Sequence, residues 1–120
     1  MKANVVLEKS YQFALEIVAL CKQLQELKEF VLSKQLLKSG TSVGANVEEA
    51  VAGHSKKDFV AKMVIALKEA RESHYWLRLL RDSRLSPSDE TEKLILQSDE
   101  MIRLLTAIIK TSRSTGTIDN

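Results

Sequence analysis

The stretch whose reading decides the fold is Lys38–Phe59, KSGTSVGANVEEAVAGHSKKDF. Two glycines, Gly40 and Gly44, stand among Ser, Thr and Asn, and a Ser-Lys-Lys follows. Such a run is either a loop that cradles phosphate or a helix with a small-residue surface. A phosphate loop needs G-x-x-x-x-G-K-[ST] between a strand and a helix. Here Ala45 stands where the Lys should be, no strand pattern precedes, and no G-x-G is present. On a helix, by contrast, Leu36, Gly40, Val43, Val47, Ala50 and His54 share one face, with Leu37, Gly44 and Val51 beside it. The period runs through both glycines without losing phase. Two glycines in a helix interior cost about 2 kcal/mol relative to alanine. A segment that tolerates them needs close packing in return, because small residues let two backbones approach and add dispersion contacts. The residues 30–52, FVLSKQLLKSGTSVGANVEEAVA, are therefore predicted as one helix whose Gly40, Gly44 and Ala45 form a groove for another helix.

Outward from this segment the chain divides into further helices. Residues 4–25 carry Leu7, Tyr11, Ala14, Val18 and Cys21 at 3–4 spacing, widened by Phe13, Ile17, Leu20 and Leu24. The break that follows lacks Gly and Pro and is placed at Gln25–Lys28. Ser55, with Asp58 three residues later, is a capping-box variant that opens a third helix running to about Ser83. Ser86 as N-cap, Pro87 at the first helical position and Asp89 at the third open a fourth. Leu94, Met101, Leu105 and Ile108 line its face, with Ile95, Ile102 and Ile109 beside them, and its end is expected near Thr111 or Ser112. Short connections between long helices force antiparallel neighbours. The expected fold is all-α, an antiparallel up-down-up-down four-helix bundle over residues 1–112, with a flexible tail over 113–120.

Composition agrees with one small bundle and excludes several functions. The chain has 120 residues, 44% hydrophobic and only 5% aromatic, so the core is aliphatic. A single cysteine, Cys21, excludes an internal disulfide and a cysteine zinc site and fits a cytoplasmic location. No signal peptide is expected, since Glu8 and Lys9 interrupt the would-be apolar region, and no run reaches the roughly 18 apolar residues of a membrane span. A di-iron bundle site needs Glu-x-x-His on two helices. Neither His54 nor His74 has Glu three residues before it. No cofactor, metal or catalytic residue is expected.

The third helix carries the functional signal. Phe59, Met63, Ala66, Ala70, Leu77 and Leu80 form its bundle face. A second stripe holds Ile65, Glu69, Glu72, Trp76 and Leu79, and a third arc carries Lys57, Lys68, Arg71 and Arg78 with Tyr75 among them. A helix in a lone bundle needs only one apolar side, so the extra stripe points to an interface. Carboxylates beside apolar surface need partners. Asn46 and Glu49 on the second helix are the expected neighbours of Glu69 and Glu72, and Arg71 or Arg78 the expected counter-charges across an interface. Charge is also segregated. Ser55–Arg84 holds eight basic residues against four acidic ones, whereas Leu85–Asn120 holds four against six, although the net formal charge is only +2. Lys56, Lys57, Lys68, Arg71, Arg78 and Arg81 are the candidate nucleic-acid contacts, for RNA or DNA.

With these residues in view, the chain resembles the bacterial four-helix bundle proteins encoded in intervening sequences of 23S ribosomal RNA genes (S23-like proteins). The resemblance covers about Tyr11 to Lys110 and rests on LLKSGTSVGANVEEA (36–50), SKKDFVAKMVIALKEARESHYWLRLL (55–80) and LSPSDE (85–90). Within these, Asn46-x-x-Glu49-Ala50, Ser55-Lys56-Lys57-Asp58-Phe59 and Glu72-x-x-x-Trp76 are specific in combination; Ala50 replaces a glycine common among relatives. The resemblance implies a bundle that assembles as a ring-like homopentamer, without catalytic activity. A more distant group, the accessory proteins of diversity-generating retroelements, binds nucleic acid and a reverse transcriptase through a basic surface. The expected partners are thus further copies of the chain, RNA or DNA, or another protein.

Overall fold

The structure is a computed structural model that describes residues 2–116. Four helices follow one another: α1 (Lys2–Glu26), α2 (Phe30–Ala52), α3 (Lys56–Asp82) and α4 (Ser88–Gly116). Three- to five-residue connections reverse the chain each time, so sequential helices lie antiparallel. Each packs on its sequence neighbours, and α4 closes the square by returning to α1. The rod measures 51 × 20 × 20 Å.

The helix ends explain which boundaries the sequence marks. At the α3 start, the Ser55 hydroxyl accepts the Asp58 N–H at 3.0 Å, the expected N-cap. The α1–α2 break uses backbone chemistry instead. Lys28 adopts a left-handed conformation (φ 63°), while its N–H bonds the Gln25 carbonyl and the Glu29 N–H bonds the Leu24 carbonyl. This is a Schellman motif with lysine where glycine is usual, and Glu29 then supplies no side-chain cap to α2. Arg84 (φ 60°) repeats the motif after α3, with bonds to Arg81 and Leu80. The fourth helix begins one residue later than its sequence signals suggest. Its first bond runs from Thr91 N–H to the Pro87 carbonyl, so Pro87 is the N-cap, and the Ser86 hydroxyl pairs with Thr91 Oγ1 at 2.6 Å. It also continues to Gly116, past the expected Thr111 or Ser112. The remainder of the expected tail, residues 117–120, lies outside the described residues.

The glycine-bearing segment is one helix, as its period requires. A methyl group on Gly40 would come within 2.8 and 2.9 Å of Ile17 Cγ2 and Cγ1, and one on Gly44 within 3.3 Å of the Ser10 carbonyl oxygen. These glycines therefore receive α1. Ala45 does not share the role; it is exposed at the outer margin of the α1–α2 pair. His54 likewise leaves the expected face, since α2 ends at Ala52 and His54 is exposed in the turn.

In α1 the buried face is narrower than expected: the widening stripe is buried, whereas of the first stripe only Cys21 is buried and Leu7 and Ala14 are partly so. Val6 is buried together with Phe13, Ile17, Leu20 and Leu24. Tyr11 and Val18, expected inside, are 63% and 48% exposed. Val51, expected beside the α2 face, is also exposed, and the core is built from Leu36, Val43 and Val47 of α2, Met63, Ala66, Ala70, Leu77 and Leu80 of α3, and Leu94, Met101 and Leu105 of α4, positions the periodicity predicts. It also encloses six hydroxyl residues: Ser10, Ser33, Ser39, Ser73, Thr91 and Ser98. Each returns a hydrogen bond to a carbonyl three or four residues earlier, so each is satisfied within its own helix. Ser39 and Ser73 also meet across α2 and α3 at 2.9 Å.

Candidate interaction surfaces

The residues that the sequence singles out fall on the outer sides of α2 and α3, with Gly40 and Gly44 set apart in the α1 contact. The α3 helix is 27 residues, so its charged positions are strung over about 40 Å at ~1.5 Å per residue. Its core face leaves an outward arc on which Val64, Ile65, Tyr75 and Leu79 are 37–50% exposed. Trp76 is only partly accessible. It packs against the core, meets Tyr75 edge-to-face with centroids 5.0 Å apart, and encloses its indole N–H without an acceptor. A buried donor in that condition costs about 1–3 kcal/mol.

Glu69 and Glu72 stand one helical turn apart beside Trp76 on α3. Burial pushes the Glu69 carboxyl above its ordinary value, and the Glu72 charge and hydrogen bond push it the same way. Lys68 and Lys38 oppose the shift without cancelling it. The Glu69 carboxyl is thus inclined to hold its proton beside Glu72. The expected α2 partners are engaged elsewhere. Asn46 Nδ2 donates to the Ser42 carbonyl and hydroxyl at 2.9 and 3.0 Å, within its own helix. Glu49 Oε1 pairs with Lys62 at 2.9 Å, joining α2 to α3. Lys38, absent from the sequence reading, is the α2 side chain that acts on Glu69.

The six candidate nucleic-acid contacts do not form one patch of equal character. Lys57, Lys68 and Arg71 are exposed on the outward arc and take no ion pair among the described residues. Arg78 lies 6.0 Å from the Tyr75 ring centroid, a cation–π contact. Arg81 is committed to Asp82 at 2.8 Å and Glu92 at 3.4 Å, which secures the α3–α4 end. Lys56 sits half-buried in the first turn and is engaged by an interaction of its own. His74, turned toward α4 and 3.9 Å from Asp99, is held below its ordinary value by burial and then by Arg78.

A further surface went unread in the sequence. Tyr11 and Ala14 of α1, with Thr41, Gly44, Ala45 and Glu48 of α2, line an apolar groove. Leu15 (49% exposed) and Val18 extend its α1 margin. The signal was present in α1, where two apolar stripes run side by side and only one can face the core. The opposite seam, α1 against α4, is polar. Glu16 accepts hydrogen bonds from Lys93 at 3.0 Å and Gln97 at 3.2 Å, and Lys9 pairs with Glu100 at 3.2 Å. Burial raises the Glu16 carboxyl, but its hydrogen bonds and the Lys93 charge outweigh that and leave it below its ordinary value.

Among the described residues no group of three or more His, Cys, Asp or Glu is placed to hold a metal ion, and no helix is long and apolar enough to cross a membrane. Comparison with known proteins agrees with the geometry. The sequence profile described as 23S rRNA-intervening sequence protein matches residues 2–107. A crystal structure of a protein of unknown function from the S23 ribosomal protein family of Bacteroides thetaiotaomicron VPI-5482 is 50% identical. It superposes with a TM-score of 0.87, over 92% of this chain and 99% of that one. No curated protein matches.

Proposed function

The chain belongs to the 23S rRNA-intervening sequence protein family, and from that premise we propose that it is a non-enzymatic scaffold, a four-helix bundle that assembles with copies of itself into a ring-like homopentamer. One observation carries the assembly: α3 buries a full core face and still presents Val64, Ile65, Tyr75 and Leu79 at 37–50% exposure on its outward side. They fall in two clusters along the helix, Val64–Ile65 and Tyr75–Leu79, with Lys68, Arg71 and Glu72 exposed between them, and exposed apolar clusters rimmed by polar residues mark interaction sites. The count of five comes from the family resemblance. The test is mass in solution by light scattering at micromolar concentration. A scaffold gives a multiple of 13.5 kDa, and five times that mass for the pentamer. A monomer at the same concentration overturns the proposal.

A second reading is favoured by the exposed cations Lys57, Lys68 and Arg71, which lack ion pairs among the described residues on that same arc. Repetition around a ring multiplies such a patch and its field. In this reading the assembly binds RNA or DNA in a cytoplasmic setting. Binding would fall steeply with salt as counterions are released. Gel shifts with RNA and DNA at low salt that show no complex would remove it.

A further inference from the structure

The outward arc of α3 and the α1–α2 groove are unlike each other in shape and in charge. The arc is a ridge of large side chains, Ile65, Tyr75 and Leu79, flanked by Lys68, Arg71 and Arg78. Glu72 is also on it, so its balance is cationic rather than purely positive. The groove is floored by small residues, Ala14, Gly44 and Ala45, beneath the exposed Tyr11 ring. Its one charged lining residue is Glu48, which takes no ion pair among the described residues.

We propose that the α3 ridge of one copy seats in the α1–α2 groove of the next, so that the occupant of each face is a second copy of this chain in head-to-tail contact. The inference rests on the self-assembly reading above and specifies its contact. Charge complementarity decides between the ways two copies could meet. Ridge against ridge would oppose the cations of Lys68 and Arg71 with their own duplicates. Groove against groove would oppose the Glu48 carboxylates across two concave surfaces. Ridge in groove brings the cations to Glu48 and large side chains to small ones, with like-charge cost removed and apolar area covered on both copies. The geometry also bears on closure. The groove lies between α1 and α2, while the ridge is on α3, which packs on α2 and stands diagonally across the bundle from α1. The two faces are therefore not diametrically opposed, and each added copy turns relative to the last. Such a turn permits closure: a heterologous contact makes a ring where its rotation closes and an open helical filament where it does not.

The experiment uses the full chain, with circular dichroism to show that each variant remains helical. Wild type is weighed first by light scattering; a monomer there defeats self-assembly itself. With wild type assembled, Glu48→Lys and Arg71→Glu each shift the mass to the 13.5 kDa monomer, and the double variant restores the assembly. Cysteine placement supplies an independent readout, since the one native thiol, Cys21, is buried and its pKa is pushed up to about 11. Copies carrying Ala45→Cys are mixed with copies carrying Leu79→Cys and treated with a short bismaleimide. Cross-linking between unlike copies, with little between like ones, is the expected result. An assembled wild type whose Ala45→Cys copies link to one another, or whose mass ignores both charge reversals, refutes the head-to-tail contact while leaving self-assembly standing.

Discussion

Replacing Gly40 with alanine sets two known effects against each other, and the structure says which should win. Helix propensity favours alanine by about 1 kcal/mol in a helix interior. The new methyl group, however, would stand 2.8 Å from Ile17 Cγ2, 2.9 Å from Cγ1 and 3.2 Å from Cβ. Carbon atoms rest at about 3.5–4.0 Å. The clash falls on the branch point of a β-branched residue in a fully buried position, so no rotation about a distal bond relieves it. Overpacking of this kind costs about 1–3 kcal/mol. The α1 backbone would have to move away, loosening the Gly44–Ser10 contact as well. With the Gly44 contact loosened as well, the overpacking cost belongs in the upper part of its range, about 2–3 kcal/mol, and the expected outcome is a net loss of about 1–2 kcal/mol for Gly40→Ala. For a chain of 120 residues, the unfolding entropy of about 0.25 kcal/mol/K converts this to a Tm lower by about 4–8 °C. Urea denaturation followed by helical circular dichroism measures it, with wild type and variant at one protein concentration so that mass action from assembly is the same for both.

A second substitution separates clash from other causes. Ile17→Ala removes Cγ1 and Cγ2 together and should by itself cost about 2–5 kcal/mol. In that background the nearest contact of Gly40→Ala is the Cβ of residue 17, at 3.2 Å, which a shift of a few tenths of an ångström relieves. Its sign should then reverse to a gain approaching about 1 kcal/mol, the helix preference of alanine now nearly unopposed. The coupling between the two sites is thus expected to be about 2 kcal/mol or more. A Gly40→Ala variant more stable than wild type by the full propensity value, or equal effects in both backgrounds, would refute close packing as the reason for glycine at this position.

Other expectations follow from the same coordinates. Lys28→Gly should stabilise by about 0.5–1 kcal/mol in thermal unfolding, since the left-handed backbone at φ 63° suits glycine better than lysine. Ser73→Ala should cost about 1 kcal/mol because it removes the hydroxyl that meets Ser39, whereas the double variant with Ser39→Ala should be closer to wild type, both partners then being apolar. Glu16 is held low in the folded state, so its contribution is present above the ordinary carboxylate value of 4.5 and is lost as pH falls through the folded value. Glu16→Gln should accordingly lower stability at neutral pH and flatten the acid limb of a pH–stability curve. Glu69 has the opposite sign. Its raised folded value makes stability greatest when it is protonated and erodes it as pH rises, so Glu69→Gln should stabilise at neutral pH and make little difference in acid.

The fold was legible because its main determinants are local and periodic. The continuity of α2 through Gly40 and Gly44 follows from an apolar period that ignores both glycines, and the α3 start follows from one serine hydroxyl. Where a boundary is made by backbone geometry, the sequence is nearly silent. Lys28 and Arg84 do the work usually given to glycine, and nothing in a lysine or arginine announces a positive φ. The Ser86-Pro87 signal for α4 is misleading by one residue for a related reason. Thr91, buried and bonded to both Ser86 and the Pro87 carbonyl, absorbs the serine hydroxyl that would otherwise cap the helix.

The surfaces were legible only on one side of each pair. Two apolar stripes on α1 have the same spacing, and periodicity cannot say which faces inward; the shape of the α2 surface decides. Gly40 admits Ile17 because it lacks a side chain, and Gly44 admits the Ser10 backbone, so α1 must turn the Phe13–Ile17–Leu20 stripe toward α2 and leave Tyr11 and Val18 outside. The glycines that settle the core thereby also create the exposed face. Close approach at Gly44 draws α1 and α2 together beneath Tyr11, and the same small residues that let the helices touch leave a hollow above them. A side chain at Gly44 would press on the Ser10 backbone, force the two helices apart and reshape the groove they line. The physical link between how this chain folds and what it can assemble with therefore runs through the packing of α2 on α1: Gly40 settles the core at Ile17, and Gly44 belongs both to the helix contact and to the groove.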